Sequence, residues 1–171
     1  MISVLSIVHD TMVDGPGFRT SIYCAGCPNH CPECHNPQSW DIHHGTMTST
    51  EDIMKEIMDD PFANVTFSGG DPMFQAEGFA ELARAIRAQS DKDIWCFTGY
   101  KYENLLKNPK RLELLKLIDV LVDGPFMKDL RDEDLFFRGS SNQRLINVKK
   151  SLETGKVVEL HLTKENPIPD L

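Results

Sequence analysis

The sequence predicts an α/β fold: parallel strands joined by helices, arranged as a partial, open β/α barrel. Three observations carry this expectation. Short β-branched runs alternate with segments of helical periodicity through the middle of the chain, which is the signature of βαβ units and a parallel sheet. Four or five strands of this kind can be counted, too few for a closed eight-stranded barrel. The chain has 171 residues, enough for one domain with a sizeable core, so residues 1–171 are expected to form a single domain.

The elements follow in order. Residues 2–8 (ISVLSIV) are a β-branched run and an expected strand; residues 9–17 are a loop with DGPG as its turn chemistry. Residues 18–23 (FRTSIY) form a second strand that feeds a cysteine loop at 24–37. Thr48-Ser-Thr-Glu51 has the pattern of a capping box. It opens a helix with Ile53, Met54, Ile57 and Met58 on one face, and the methionines are read as core. Residues 64–67 (NVTF) are a buried strand that ends at SGGDP, residues 68–72. Phe79, Leu82, Ala83 and Ile86 mark the next helix. Residues 93–98 (DIWCFT) are a strand ending at Gly99-Tyr100, and a helical stretch broken at Asn108-Pro109 follows. Its second part leads into a strand at 119–122, which ends at DGP. Beyond Arg138, residues 145–148 and 157–162 are strand candidates with a helical turn at SLET between them; the tail from about residue 163 reads as frayed.

Composition excludes several classes. The net charge of -8 argues against broad nucleic-acid binding, which needs a basic face. The N-terminal apolar run is short and broken by Ser3 and Ser6, with no basic region before it, and no apolar run approaches membrane-spanning length. A cytoplasmic protein without a membrane or nucleic-acid partner is expected. Disulfides are uncommon there, so clustered cysteines point to metal ligation or thiol chemistry.

Four of the five cysteines fall in CAGCPNHCPECHNP, residues 24–37, spaced C-x2-C-x3-C-x2-C. Zinc ribbons separate their two CxxC pairs by roughly 12–20 residues, whereas here three residues intervene. A cramped zinc site, a redox pair that leaves two cysteines over, and a four-cysteine iron–sulfur module are all open on spacing. A further possibility is the triplet Cys27, Cys31 and Cys34 holding three irons of a [4Fe–4S] cube. The fourth iron would then be open, by the logic that lets substrate reach a catalytic zinc. Cys24 ends an expected strand and is read as a small packing residue, and Cys96 lies within a strand and is read as core. His43-His44 is read as a solvated loop, and Trp40 and Trp95 as packing.

The C-x3-C-x2-C triplet resembles the hallmark of the radical S-adenosylmethionine (SAM) enzymes, and SGGDP resembles their glycine-rich motif. DGPGFR (14–19), the cysteine loop running to NPQSW, SGGDP, WCFTGY (95–100), DVLVDGPF (119–126) and RGSSNQ (138–143) follow one another. In that order they resemble the activating proteins of anaerobic (class III) ribonucleoside-triphosphate reductases, over roughly residues 5–160. The resemblance implies a partial barrel of radical SAM type, a [4Fe–4S] cluster on Cys27, Cys31 and Cys34, and SAM on the open iron. It implies reductive cleavage of SAM to a 5′-deoxyadenosyl radical, which removes a hydrogen from a glycine of a large glycyl-radical reductase. A flavodoxin- or ferredoxin-type protein would supply the electron.

By the same resemblance Glu33, Cys34, His35, Ser68, Gly69, Gly70 and Asp71 lie near SAM, with Thr98 and Asp123 as further contacts at later strand ends. No side chain is needed as a general acid or base, because the cofactor carries the chemistry. Arg19 and Arg138 either meet a carboxylate or the partner, or are structural or surface arginines. Glu33 departs from the superfamily, many of whose members place an aromatic residue before the third cysteine to pack on adenine; His35 is the nearby ring. The alternatives are activation of another glycyl-radical enzyme, a radical SAM enzyme with a small-molecule substrate, and a non-catalytic iron–sulfur or zinc module.

Overall fold

A computed structural model describes residues 1–27, 40–162, 168–169 and 171. Its core is one open seven-stranded sheet in the order β3-β1-β2-β4-β5-β6-β7. The strands are β1 (Ile2–Thr11), β2 (Arg19–Cys24), β3 (Thr46–Thr48), β4 (Asn64–Gly69), β5 (Ile94–Phe97), β6 (Val120–Asp123) and β7 (Arg144–Asn147). The four middle strands, β2, β4, β5 and β6, are parallel. β1, β3 and β7 add antiparallel flanks. The fold is therefore mixed α/β, and its sheet is not closed.

Helices α1 (Thr50–Asp59), α2 (Ala76–Gln89), α3 (Tyr102–Leu105) and α4 (Pro109–Leu115) lie between the parallel strands in sequence. α5 (Val148–Thr154) follows β7. The strand period of two sorts side chains onto two faces. Ile22, Val65, Phe67, Ile94, Cys96, Leu121 and Ile146 face the helices, where Ile53, Ile57, Phe79, Leu82, Ile86 and Leu114 complete the main core. Each fully buried Ile, Leu or Phe contributes about 1.5–3 kcal/mol of hydrophobic stabilisation. On the opposite face, Trp95, Val120, Val122 and Leu145 pack with Phe97, Phe137, Leu160 and Leu162. The β2 and β4 part of that second face is polar: Arg19, Ser21 and Thr66 are all buried there.

Several sequence expectations shift. The first helix is capped by Ser49, whose side chain accepts the Asp52 N–H, one residue later than the Thr48–Glu51 pattern suggests. Thr48 is instead taken up by β3, where it pairs with Ile2. Met54 is buried as expected, but Met58 is 39% exposed, because it lies at the edge of the apolar stripe. Residues 157–162 do not form a strand. They meet β7 through one bridge, Ile146 to Glu159, with the Asn147 N–H donating to the Val158 carbonyl. The interruption at Asn108-Pro109 is a boundary between helices. Pro109 opens α4, and the Asn108 side chain accepts the Lys110 and Arg111 N–H groups. His43 and His44 sit exposed in a short 3-10 turn. The expected fraying of the tail falls largely outside the described residues.

Candidate cluster and cofactor site

The C-terminal ends of the four parallel strands converge on one edge of the sheet, where open α/β sheets bind ligands. At that edge β2 and β4 come unusually close. The Gly70 N–H donates to the Cys24 carbonyl at 2.7 Å, and the Asp71 N–H to the Gly26 carbonyl at 2.8 Å. Gly69 makes this approach possible. Its φ is +110°, and a Cβ there would lie 2.3 Å from the Cys24 nitrogen. The glycine-rich string and the start of the cysteine loop are thus one hydrogen-bonded unit.

The cysteine loop leaves this unit at Cys27, whose N–H donates to the Trp40 carbonyl at 3.2 Å. Both ends of the loop are therefore held at the same rim. Cys27 is half-buried and lines a cleft of about 130 Å3 together with Ser68, Gly69, Gly70, Phe97, Thr98, Gly99, Val122, Gly124, Phe126 and Gln143. Cys31, Glu33, Cys34 and His35 lie outside the described residues. Cys24 is wholly buried on the helix side of β2, and burial, with the Asp71 carboxyl adding to it, pushes its thiol well above the ordinary range. Cys96 is buried in the same way. Cys24 thus belongs to the main core, whereas Cys27 lines the cleft, where a thiolate could reach a bound cluster.

Asp71 sits behind the cleft. Its carboxylate accepts from Thr98 Oγ1 at 2.8 Å, the Gly99 N–H at 2.9 Å and the Met73 N–H at 3.0 Å. Complete burial pushes this carboxyl up to about 6, although the three donors pull the other way. Asp71 thus ties the end of β4 to the end of β5, and Thr98 spends its hydroxyl on that tie. Ser68, Gly69 and Gly70 line the cleft directly.

Asp123, at the end of β6, has a side chain only 1% exposed. It accepts the Tyr102 N–H at 2.9 Å and Arg144 Nε at 3.0 Å. Arg144 also forms a two-pronged bond to Glu103 at 2.9 and 3.0 Å. Among the two arginines, Arg19 is structural. It is fully buried, pairs with Asp93, donates to Thr66 Oγ1 at 2.8 Å and the Val65 carbonyl at 2.7 Å, and lies under Trp95. Arg138 donates to the Gln143 carbonyl at 3.2 Å.

Sequence reading missed the far side of the cleft. Phe97, Val122, Phe126 and Gln143 carry no charge or metal-ligating chemistry. Within WCFTGY, DVLVDGPF and RGSSNQ the sequence singles out Thr98, Asp123 and Arg138, and not these four neighbours. Their position at strand ends was the signal that could have found them.

The chain is similar to known proteins over most of its length. Residues 13–146 match the family model described as a 4Fe-4S single cluster domain. The chain is 38% identical over 140 residues to the anaerobic ribonucleoside-triphosphate reductase-activating protein of Escherichia coli K12, covering 77% of this chain and 90% of that protein. The protein of the same name from Enterobacteria phage T4 is 36% identical over 139 residues, with 78% and 86% covered. That of Vibrio cholerae is 36% identical over 140 residues, with 77% and 89% covered. No helix among the described residues is long and apolar enough to cross a membrane. With these identities extending over most of its length, the chain belongs to the family of anaerobic ribonucleoside-triphosphate reductase-activating proteins.

Proposed function

We propose that this chain is a cytoplasmic radical SAM enzyme that activates an anaerobic ribonucleoside-triphosphate reductase by creating a glycyl radical in it. The observation that carries the reading is Cys27 at the rim of a glycine-lined cleft, where the parallel strands end. Cys27, Cys31 and Cys34 would hold a [4Fe–4S] cluster with one open iron. When bound, the cluster and SAM supply one-electron cleavage of a carbon–sulfur bond, releasing methionine and a 5′-deoxyadenosyl radical that takes a hydrogen atom from a glycine of the reductase. A flavodoxin- or ferredoxin-type donor would provide the electron.

The chain's own residues bind and orient. Ser68, Gly69, Gly70 and Asp71, with Glu33, Cys34 and His35 from the loop, would surround SAM. Glycine at 69 and 70 lets backbone amides and carbonyls approach a ligand with no side chain between. Thr98 would act through Asp71, and Asp123 through the Tyr102 N–H and Arg144, each as a support of the cleft. The sheet, with helices on one face and a partly polar opposite face, supports a partial barrel of the whole chain as one domain. Its open edge would admit a loop of a large partner.

One anaerobic experiment tests the reading. The cluster is reconstituted and reduced, SAM is added, and 5′-deoxyadenosine is measured. The reductase is then included and its glycyl radical followed by electron paramagnetic resonance. Both products are expected, and a fully loaded cluster that forms neither would overturn the proposal. Cys24→Ala should keep its iron and its cleavage activity, whereas Cys27→Ala should lose both. Loss of iron in Cys24→Ala would point to a four-cysteine module.

A further inference from the structure

The cleft has two walls of different origin. The near wall carries Cys27 and the glycines at 69 and 70; the far wall is Gly124, Phe126 and Gln143. The far wall is braced by a carboxamide. Gln143 Oε1 accepts the Gly139 N–H at 2.8 Å and the Ser140 N–H at 3.2 Å, and its Nε2 donates to the Gly124 carbonyl at 3.0 Å. Asn142 Nδ2 donates to the Pro125 carbonyl at 2.8 Å, and the Met127 N–H donates to Ser140 Oγ at 3.2 Å. Gly139 admits the Phe126 ring, which would lie 2.9 Å from any Cβ there. The string RGSSNQ is therefore a brace that fixes residues 124–127 at the rim of the cleft.

We propose that Gln143 is a positioning residue that sets this wall and, through it, the place of the partner's glycine; the inference rests on the function proposed above. A glycine offers no side chain to grip, so its α-carbon must be placed by the shape of the surface it meets. The hydrogen passes from that carbon to the 5′ carbon of the adenosyl group. Only a carboxamide of this length both accepts the two N–H groups and donates to Gly124. Glu in its place would keep the acceptor half and set a carboxylate oxygen against a carbonyl.

The test uses the full chain with its cluster loaded, as Gln143→Glu, Gln143→Ala and Phe126→Leu. Iron content, thermal midpoint, 5′-deoxyadenosine and the glycyl radical are measured on the same samples. A misplacement of about 1 Å costs ~100-fold in a positioned reaction, so 5′-deoxyadenosine per glycyl radical should rise about tenfold or more in all three. SAM cleavage without the reductase is read on the same samples, and the rise in the ratio is expected over and above any change in it. A merely structural role lowers both products in step with the folded fraction and leaves their ratio unchanged. An unchanged ratio in Gln143→Glu overturns the inference, even if Phe126→Leu raises it or Gln143→Ala fails to fold. A wild-type chain that gives no glycyl radical overturns the functional reading, and this inference with it.

Discussion

Gly69 is the position where sequence, strain and site meet most tightly. Its Cβ would press on backbone atoms of Cys24, at 2.3 Å from N and 2.5 Å from O, and backbone cannot move aside as a side chain end would. Its positive φ adds strain for any other residue. Gly69→Ala is expected to cost about 2–5 kcal/mol from left-handed backbone and overpacking together. It should also break the bond from the Gly70 N–H to Cys24 that anchors the cysteine loop. Urea unfolding and iron per chain read the two effects. A wild-type midpoint with full iron would show that the ends of β2 and β4 can part without loss. The same residue scale explains why the sequence separated Cys24 from Cys27. Cys24 closes an alternating strand whose Ile22 is core, so it had to point to the helices. No such pattern could reveal Asp71 as a buried tie, because an Asp after two glycines reads equally as a plain turn.

Two ties decide how the elements end. Asp71 links β4 to β5, and Asp123 with Arg144 and Glu103 links β6, β7 and α3. The folded chain binds the Asp71 proton more tightly than the unfolded chain, since burial raises its carboxyl from 3.8 to about 6. This contribution to stability is complete below about pH 4 and is lost as pH rises through 6. Relative to Asp71→Asn, the wild type should lose on the order of 1 kcal/mol between pH 5 and 7. Anaerobic urea unfolding at the two pH values measures it, and a constant difference would mean that Asp71 does not titrate in that window. The second tie responds to charge. Arg144→Met leaves the Asp123 carboxylate buried without its cation and should cost about 3–5 kcal/mol, with Asp123→Asn in the same chain restoring part of the loss. A double-mutant cycle reads the coupling, and additivity would show that the pair does not act as one unit. Element existence was legible because helical and strand periods alternate so clearly from residue 50 to 123. Boundaries were not: the choice between Ser49 and Thr48 as cap depends on β3 capturing Thr48, a long-range pairing that leaves no local mark.

At the scale of the molecule, the sheet separates a helix-covered apolar face from a second face that is polar at β2 and β4 and apolar at β5 and β6. The helix-covered face was readable as periodicity. The mixed face was not, because buried Arg19, Ser21 and Thr66 look like surface residues until Asp93 and Asp14 arrive from distant segments to pair them. This arrangement bears on what the cluster contributes to the fold. The cysteine loop is attached by backbone bonds, from Gly70 to Cys24, Asp71 to Gly26 and Cys27 to Trp40, that need no metal. The main core lies on the helix-covered face and does not include Cys27. Removing the iron by anaerobic chelation should therefore leave far-ultraviolet circular dichroism and cooperative unfolding in place, and raise hydrogen exchange only in the cysteine loop and along the cleft. A small metal-stapled module behaves oppositely and unfolds when its ion is taken. Global unfolding on chelation would show that the cluster holds the fold together, and that the thiols at this rim serve structure before chemistry.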